Sequence, residues 1–123
     1  SAGCKSAPPV IPDGLSPPEF FQRAQEEADN DRWDNALLYY ETFLQQYPDD
    51  LPNILAARYE IAFIGYKKGQ FDEAKKGFQA LLDTYKEFPN PLAVPQWPRV
   101  LSEKLLKIIE EKTKPLIAVS GAK

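Results

Sequence analysis

Histidine is absent from this chain of 123 residues, and cysteine occurs only once. Without histidine there can be no catalytic triad built on an imidazole, and a single thiol cannot form an internal disulfide. The usual zinc sites, which combine histidine and cysteine ligands, are excluded for the same reason. No run of about eighteen apolar residues occurs either, so no segment is predicted to span a membrane. These absences predict a protein that is not an enzyme and that binds no metal or cofactor.

Charge is distributed unevenly, although the net charge is only −3. Residues 17–50 carry nine acidic and two basic side chains, whereas residues 90–123 carry three acidic and six basic ones. Solvated helix faces account for such a pattern, and a surface that orients a charged partner is the alternative. No basic cluster interleaves with aromatic residues, so nucleic acid is not expected as a partner.

The single cysteine, Cys4, follows two small residues, Ala2 and Gly3. This start resembles the lipobox of bacterial lipoproteins, whose peptidase needs small side chains beside the bond it cleaves. The resemblance implies lipidation of Cys4 and anchoring on the periplasmic side of the bacterial envelope, at the outer rather than the inner membrane. A free thiol is the alternative. The rest of residues 1–16 is rich in proline and is predicted to be a flexible tether, with a reach of roughly 30–40 Å.

Apolar residues recur at spacings of three and four through the remainder of the chain, which predicts an all-α fold. Ser16 before two prolines and Glu19 is a typical helix start, because the serine caps free N–H groups and the glutamate favours the positive helix end. Gly69 is predicted to make the turn between the third and fourth helices, and Gly65 to allow close helix contact. The predicted helices cover about residues 17–30, 33–47, 51–67, 71–85 and 97–112.

An internal repeat relates the first two pairs of helices, because matching residues lie 38 positions apart. Such self-similarity indicates stacked helical hairpins, with small alanines where paired helices cross and aromatic rings between successive hairpins. The matching pairs are Ala24 and Ala62, Trp33 and Phe71, Ala36 and Ala74, Tyr40 and Phe78, Leu44 and Leu82, and Tyr47 and Tyr85. We therefore predict one helical domain over residues 17–114, with repeats at 17–48 and 51–86, a cap helix at 97–113, and a tail at 115–123.

The repeat resembles the tetratricopeptide repeat (TPR) family. The resemblance rests on WDNA at residues 33–36 and FDEA at residues 71–74, on the aromatic residues Tyr40 and Phe78 four positions later, and on the closing Pro48. It implies an all-α, TPR-like stack of two αα-hairpins with a capping helix. It also implies a non-enzymatic adaptor or scaffold, similar to the TPR lipoproteins of bacterial envelopes, that binds another envelope protein or peptide segment.

In that family the first helix of each hairpin lines a concave groove that binds the partner. The matching positions of this sequence are Phe21, Gln25, Tyr59, Phe63, Tyr66, Lys67, Trp97 and Leu101. The aromatic members would suit an extended peptide or a helix, because rings give contact area at small entropic cost. The alternative is that the strip folds inward as core.

Two other functions fit the same sequence. The chain could be a structural subunit of an oligomer, in which the acidic first hairpin stacks on the basic cap of the next copy. It could also carry a small ligand in the aromatic cleft. The apolar run Leu116–Val119 is predicted either to pack back on the cap helix or to be a sticky end for a partner.

Overall fold

The computed structural model describes residues 7–115, which form five α-helices and contain no strand. The predicted all-α fold of helical hairpins with an additional C-terminal helix is confirmed, and the first two helices each end one residue earlier than predicted. Cys4 and Leu116–Val119 lie outside the described residues. The helices are α1 (Pro17–Asp29), α2 (Trp33–Gln46), α3 (Leu51–Lys67), α4 (Phe71–Tyr85) and α5 (Trp97–Lys112).

The chain divides into two compact units, Ser1–Ala57 and Arg58–Lys123. The first, called here the N-terminal unit, contains α1, α2 and the start of α3. The second, the C-terminal unit, contains the rest of α3 together with α4 and α5. Within the units α1 packs against α2, and α4 packs against α5.

A capping box starts α1. The backbone N–H of Ser16 donates to the Glu19 carboxylate (2.9 Å), and the backbone N–H of Glu19 donates to the Ser16 hydroxyl (3.3 Å). These bonds satisfy two N–H groups that a helix leaves without an intrahelical partner. The hydrogen bond from the Ser16 backbone also holds the pKa of Glu19 below its usual value, so the cap is strongest with the carboxylate ionised.

The turns inside the two hairpins share one backbone feature. Asp31 has φ +58° between α1 and α2, and Gly69, 38 residues later, has φ +77° between α3 and α4. Both values lie in the left-handed region, which glycine adopts freely and aspartate tolerates better than most residues. The repeat found in the sequence therefore extends to the backbone, and the predicted role of Gly69 is confirmed.

The N-terminal unit is built around Phe43, whose side chain is fully buried. Its ring centroid lies 6.0 Å from that of Phe20, 5.3 Å from that of Phe21 and 5.4 Å from that of Tyr47. Edge-to-face and offset pairs at such distances are favourable beyond the burial of their area. Three aromatic rings from α1 and the end of α2 therefore converge on one side chain.

Helices α3 and α4 of the C-terminal unit approach each other at small residues. A Cβ added to Gly65 would lie 3.6 Å from the Cβ of Ala74, which is ordinary contact, whereas one added to Gly77 would lie 3.0 Å from the Cβ of Ala62. Gly65 does lie at the helix contact, as the sequence predicted. The tightest approach is at Gly77, however, where any side chain must displace its neighbour.

In each unit a tyrosine at the matching repeat position forms a hydrogen bond to the irregular segment that precedes a helix. The Tyr47 hydroxyl donates to the carbonyl of Leu15 (2.6 Å), and the Tyr85 hydroxyl donates to the carbonyl of Pro95 (2.6 Å). Leu15 directly precedes the cap of α1, and Pro95 directly precedes the cap of α5. The last aromatic residue of each repeat thus fixes the entry of a helix.

The buried hydroxyl of Ser102 in α5 is expected to lower the stability of the fold. The Ser102 side chain is fully buried, and its hydroxyl has no hydrogen-bond partner among residues 7–115. Alanine removes an unsatisfied polar group and favours the helix, so Ser102→Ala is expected to raise the free energy of unfolding by about 1 kcal/mol in chemical denaturation. Thr84→Val is the control, because the Thr84 hydroxyl accepts from Arg58 and donates to the Ala80 carbonyl. Thr84→Val should lower the free energy of unfolding. A lower free energy of unfolding for Ser102→Ala would mean that the Ser102 hydroxyl has a hydrogen-bond partner after all.

Candidate functional site

Aromatic side chains of the C-terminal unit form a continuous set of contacts, called here the aromatic row. Along α3 the Tyr59 and Phe63 centroids are 6.0 Å apart, and so are those of Phe63 and Tyr66. The row is extended at one end by Phe71 of α4, 5.8 Å from Tyr66, and at the other by Trp97 of α5, 5.4 Å from Tyr59. Three helices of this unit therefore contribute rings to one array.

The helices position these rings by simple spacing. Tyr59, Phe63 and Tyr66 lie four and three residues apart, which places them along one side of α3. Phe71 is the first residue of α4 after the turn at Gly69, so its ring meets the last turns of α3. The start of α5 carries Trp97 and is held by the bond from Tyr85 described above.

Exposure differs along the row. The Tyr59 side chain is only 5% exposed and also packs 5.7 Å from the fully buried Phe78 ring, whereas Trp97 is 42% exposed. Phe63 and Tyr66 are partly exposed. Tyr59 is therefore the buried member of the row. The rings of Phe63, Tyr66 and Trp97, together with the partly exposed ring of Phe71, are the ones that another molecule can contact.

Two groups on α3 have strongly altered proton affinity. Burial raises the pKa of Glu60 to about 7. Burial also raises the pKa of Tyr59 to about 12, with a smaller contribution from the negative charge of Glu60. Glu60 thus changes charge near neutral pH on the helix that carries most of the row, whereas Tyr59 stays neutral there.

The structure places the other predicted groove residues as follows. Phe21 belongs to the N-terminal unit, where its ring packs on Tyr40 (5.4 Å) and on Phe43. Gln25 is exposed, and its amide donates to the Asp29 carboxylate (2.9 Å). In the C-terminal unit Lys67 is exposed at the end of α3, and Leu101 is half-buried on α5. Of the predicted set, the structure brings Tyr59, Phe63, Tyr66 and Trp97 into one array.

Phe71 joins this array although the sequence prediction omitted it. The prediction treated Phe71 only as the repeat partner of Trp33, a residue inside its hairpin. The signal that could have found it is the turn of three residues after Lys67, which returns the chain beside the last turn of α3. Its ring is partly exposed, and it therefore widens the available surface at the end away from Trp97.

A polar cavity of about 570 Å³ lies on the N-terminal unit. Its charges are partly compensated within the chain, because Arg32 pairs with Glu27 at 2.7 Å and the Asn35 amide donates to the same carboxylate. The hydrogen bond from Arg32 holds the pKa of Glu27 below its usual value. The cavity is lined by Glu19, Gln22, Arg23, Glu26, Glu27, Asn30, Arg32 and Tyr39.

The sequence prediction missed this cavity because its charged residues have the pattern of a solvated helix face. Within residues 7–115 no group of three or more histidine, cysteine, aspartate or glutamate side chains is arranged to bind a metal ion. No helix of the same residues is long and apolar enough to cross a bilayer. The side chains of the aromatic row offer hydrocarbon contact and tyrosine hydroxyl groups, which suit binding.

Comparison with known proteins finds a relative whose own function is not described. An uncharacterized protein of Treponema pallidum (strain Nichols) is 30% identical to this chain over 87 residues, which are 68% of this chain and 34% of that protein. The chain thus spans about one third of the length of the relative. No protein-family model matches the chain. No solved structure matches it.

Proposed function

We propose that this protein is a non-catalytic binding scaffold of the tetratricopeptide type, and that its aromatic row holds a segment of another protein. One observation carries the proposal. The partly exposed rings of Phe63, Tyr66 and Trp97 belong to one continuous array, in which Phe63 and Trp97 pack directly on the buried ring of Tyr59. A surface anchored in this way is already ordered before binding, so little conformational entropy is lost when a partner docks.

The chemistry of the row favours a peptide or helix with apolar side chains as the occupant. Aromatic rings supply large contact areas with few rotatable bonds, which is why binding hot spots are enriched in tyrosine and tryptophan. Tyr66 adds a hydroxyl for a backbone group of the partner. Lys67, exposed beside it, adds a positive charge that suits an acidic residue or a carboxylate terminus.

The repeated features of the two hairpins support the tetratricopeptide assignment. Ala24 and Ala36 of the first hairpin are completely buried, and their counterparts Ala62 and Ala74 are 5% and 1% exposed. Small residues thus occupy the same buried positions twice, as close helix crossing requires. Matching left-handed turns and matching tyrosine hydrogen bonds add two further points of correspondence.

The same proposal includes an envelope location. Ala2 and Gly3 before Cys4 support lipidation of the cysteine, and the proline-rich residues behind it are suited to hold the helical units clear of a bilayer. The partner would then be another protein of the bacterial envelope. Mass spectrometry of protein expressed with its native leader tests this part separately, because an unmodified Cys4 would remove the membrane anchor and leave the aromatic row unaffected.

Site-specific photo-crosslinking in cells tests the binding surface. The photoreactive amino acid p-benzoylphenylalanine replaces Phe63 or Tyr66, which are both partly exposed aromatic residues, so the change is conservative in shape. Both variants are expected to form an adduct with the same second protein. A matched variant at Leu92, which is apolar and 92% exposed but outside the row, should form none.

Three outcomes would contradict the proposal. Adducts of equal yield at all three positions would indicate random collision. No adduct at Phe63 or Tyr66, with the variants folded and present at normal levels, would mean that the row has no partner. An adduct with a second copy of the chain would favour a structural subunit of an oligomer instead.

A further inference from the structure

The polar cavity of the N-terminal unit has no role in the proposed function. It occupies about 570 Å³ and shares no residue with the aromatic row. Most of its lining residues follow one another along α1 at spacings of three and four, which places them on one face of that helix, and Tyr39 of α2 forms another part of the wall. A ligand in this cavity would therefore be distinct from the partner of the aromatic row.

Some of the charged groups around the cavity are already engaged within the chain. One carboxylate oxygen of Glu27 accepts from Arg32 Nε (2.8 Å), and the other accepts from the Asn35 amide (2.9 Å). The Glu19 carboxylate accepts from the backbone N–H of Ser16. These bonds fix Glu27, Arg32 and Glu19 as parts of the cavity wall.

Arg23 and Glu26 are not engaged in this way. Within residues 7–115 the Arg23 guanidinium and the Glu26 carboxylate form no hydrogen bond and no ion pair. Arg23 is half-buried and Glu26 is exposed. The two residues lie three positions apart on α1, so their Cβ atoms are about 5–6 Å apart. The cavity thus presents one positive and one negative group that are both available to a ligand.

The Tyr39 side chain brings a third available group. Its residue is only 6% exposed, and it lines the cavity. The Tyr39 hydroxyl has no hydrogen-bond partner within residues 7–115, unlike the hydroxyls of Tyr47 and Tyr85. In the same part of the chain only Ser102 has a fully enclosed side-chain oxygen without a partner, so the Tyr39 hydroxyl is accessible. A phenol in this position can donate one hydrogen bond to a ligand and accept others.

Packing of the hairpin does not explain the tyrosine. The offset of 38 residues aligns Tyr39 with Gly77, where the paired helices approach so closely that an added Cβ would lie 3.0 Å from the Cβ of Ala62. The second hairpin thus packs its helices without a ring at this position. Phenylalanine would fill the space of the Tyr39 ring equally well, because the hydroxyl bonds to no other described residue. Contact with a ligand gives the hydroxyl a role.

We propose that the cavity binds a short free peptide of about two residues. Its ammonium group pairs with Glu26, its carboxylate pairs with Arg23, and a backbone group between them bonds to the Tyr39 hydroxyl. An extended chain of two residues spans at most about 7 Å, which suits the spacing of Arg23 and Glu26, whereas a single amino acid has about half that length. The cavity volume lies in the range of sites for small molecules.

An NMR titration of the full chain with L-alanyl-L-alanine tests the site. The backbone amide signals of Gln22, Glu26 and Tyr39 are expected to shift and to saturate with a dissociation constant on the order of 1 mM, whereas the signal of Lys75 on α4 should not move. N-acetyl-alanyl-alanine lacks the ammonium group, and alanyl-alanine amide lacks the carboxylate. Each is expected to bind at least about tenfold more weakly, because each loses a charge-assisted hydrogen bond.

Three variants assign the contacts, each first shown to be folded by circular dichroism. Glu26→Gln is expected to weaken binding of the dipeptide about tenfold and to leave binding of its N-acetyl form unchanged, because that form has no ammonium group to pair. Tyr39→Phe keeps the ring and should weaken binding of the dipeptide about threefold or more. Glu41→Gln is the matched control, since Glu41 is exposed on α2 outside the cavity, and it should bind as the wild type does.

Each contrary outcome overturns the inference. No saturable shift at concentrations far above the expected dissociation constant would mean that the lining charges are simply hydrated. Equal affinity for the dipeptide and for its acetylated or amidated form would mean that the cavity does not recognise both termini. Equal shifts at Lys75 would indicate non-specific binding over the surface. Unchanged affinity of Glu26→Gln or Tyr39→Phe would place the peptide elsewhere.

Discussion

Phe43→Ala is expected to lower the free energy of unfolding by about 4 kcal/mol, the usual loss when a fully buried aromatic side chain is removed. Phe43 is fully buried, and three rings, those of Phe20, Phe21 and Tyr47, pack directly on it. Alanine leaves a cavity that rings from two helices cannot fill without leaving their own positions. Because small domains have only about 5–15 kcal/mol of stability, a loss of this size should be plain in urea denaturation followed by circular dichroism.

The control for this variant is Leu92→Ala, which also removes an apolar side chain. Leu92 is 92% exposed, so this substitution should change stability by less than about 0.5 kcal/mol. A loss below about 1 kcal/mol for Phe43→Ala would contradict the packing of the N-terminal unit, because truncation of a fully buried phenylalanine cannot be that mild unless the ring is exposed in solution.

Glu60→Gln is expected to stabilise the protein at alkaline pH and to have little effect at acidic pH. Burial raises the pKa of Glu60 in the folded state to about 7, above the 4.5 of the free side chain. The folded state therefore binds the proton more tightly than the unfolded state. Stability conferred by the protonated carboxyl is fully present below pH 4.5 and is lost as pH rises through about 7. Glutamine remains neutral throughout and avoids that loss.

The expected gain from Glu60→Gln at pH 8 is about 2–3 kcal/mol, since each unit of pKa shift corresponds to about 1.4 kcal/mol. Urea denaturation at pH 5 and pH 8 measures it. Glu73→Gln is the matched control, because the Glu73 side chain is 74% exposed in a loose pair with Lys76 and should give no such pH dependence. Equal pH dependence of stability in the wild type and Glu60→Gln would show that the Glu60 carboxyl is well hydrated in the folded state.

The helices were predictable because local chemistry determines their ends. Ser16 caps the start of α1, as predicted, and Gly69 occupies the left-handed turn. The 38-residue repeat correctly identified buried small residues such as Ala36 and Ala74. In each case the deciding interactions lie within one turn of helix or within one hairpin, so that sequence spacing is a sufficient guide.

The burial of individual side chains was not predictable in the same way. The first half of α3 is apolar on nearly every side, so the spacing of its residues could not show which of them are buried. Tyr59 is only 5% exposed, whereas Phe63 and Tyr66 remain partly exposed. Glu60 lies between apolar neighbours, and its altered pKa depends on burial that spacing does not reveal. The close approach at Gly77 likewise depends on where two helices cross.

The central claim is that the aromatic row binds another protein, and an affinity measurement tests it most directly. The partner recovered by photo-crosslinking is titrated calorimetrically against the wild type, Leu92→Ala and Phe63→Ala/Tyr66→Ala, each first shown to be folded by circular dichroism. Loss of two aromatic anchors is expected to weaken binding at least roughly 30-fold, equivalent to about 2 kcal/mol, while Leu92→Ala binds as the wild type does. Full affinity of a folded Phe63→Ala/Tyr66→Ala variant would contradict the claim.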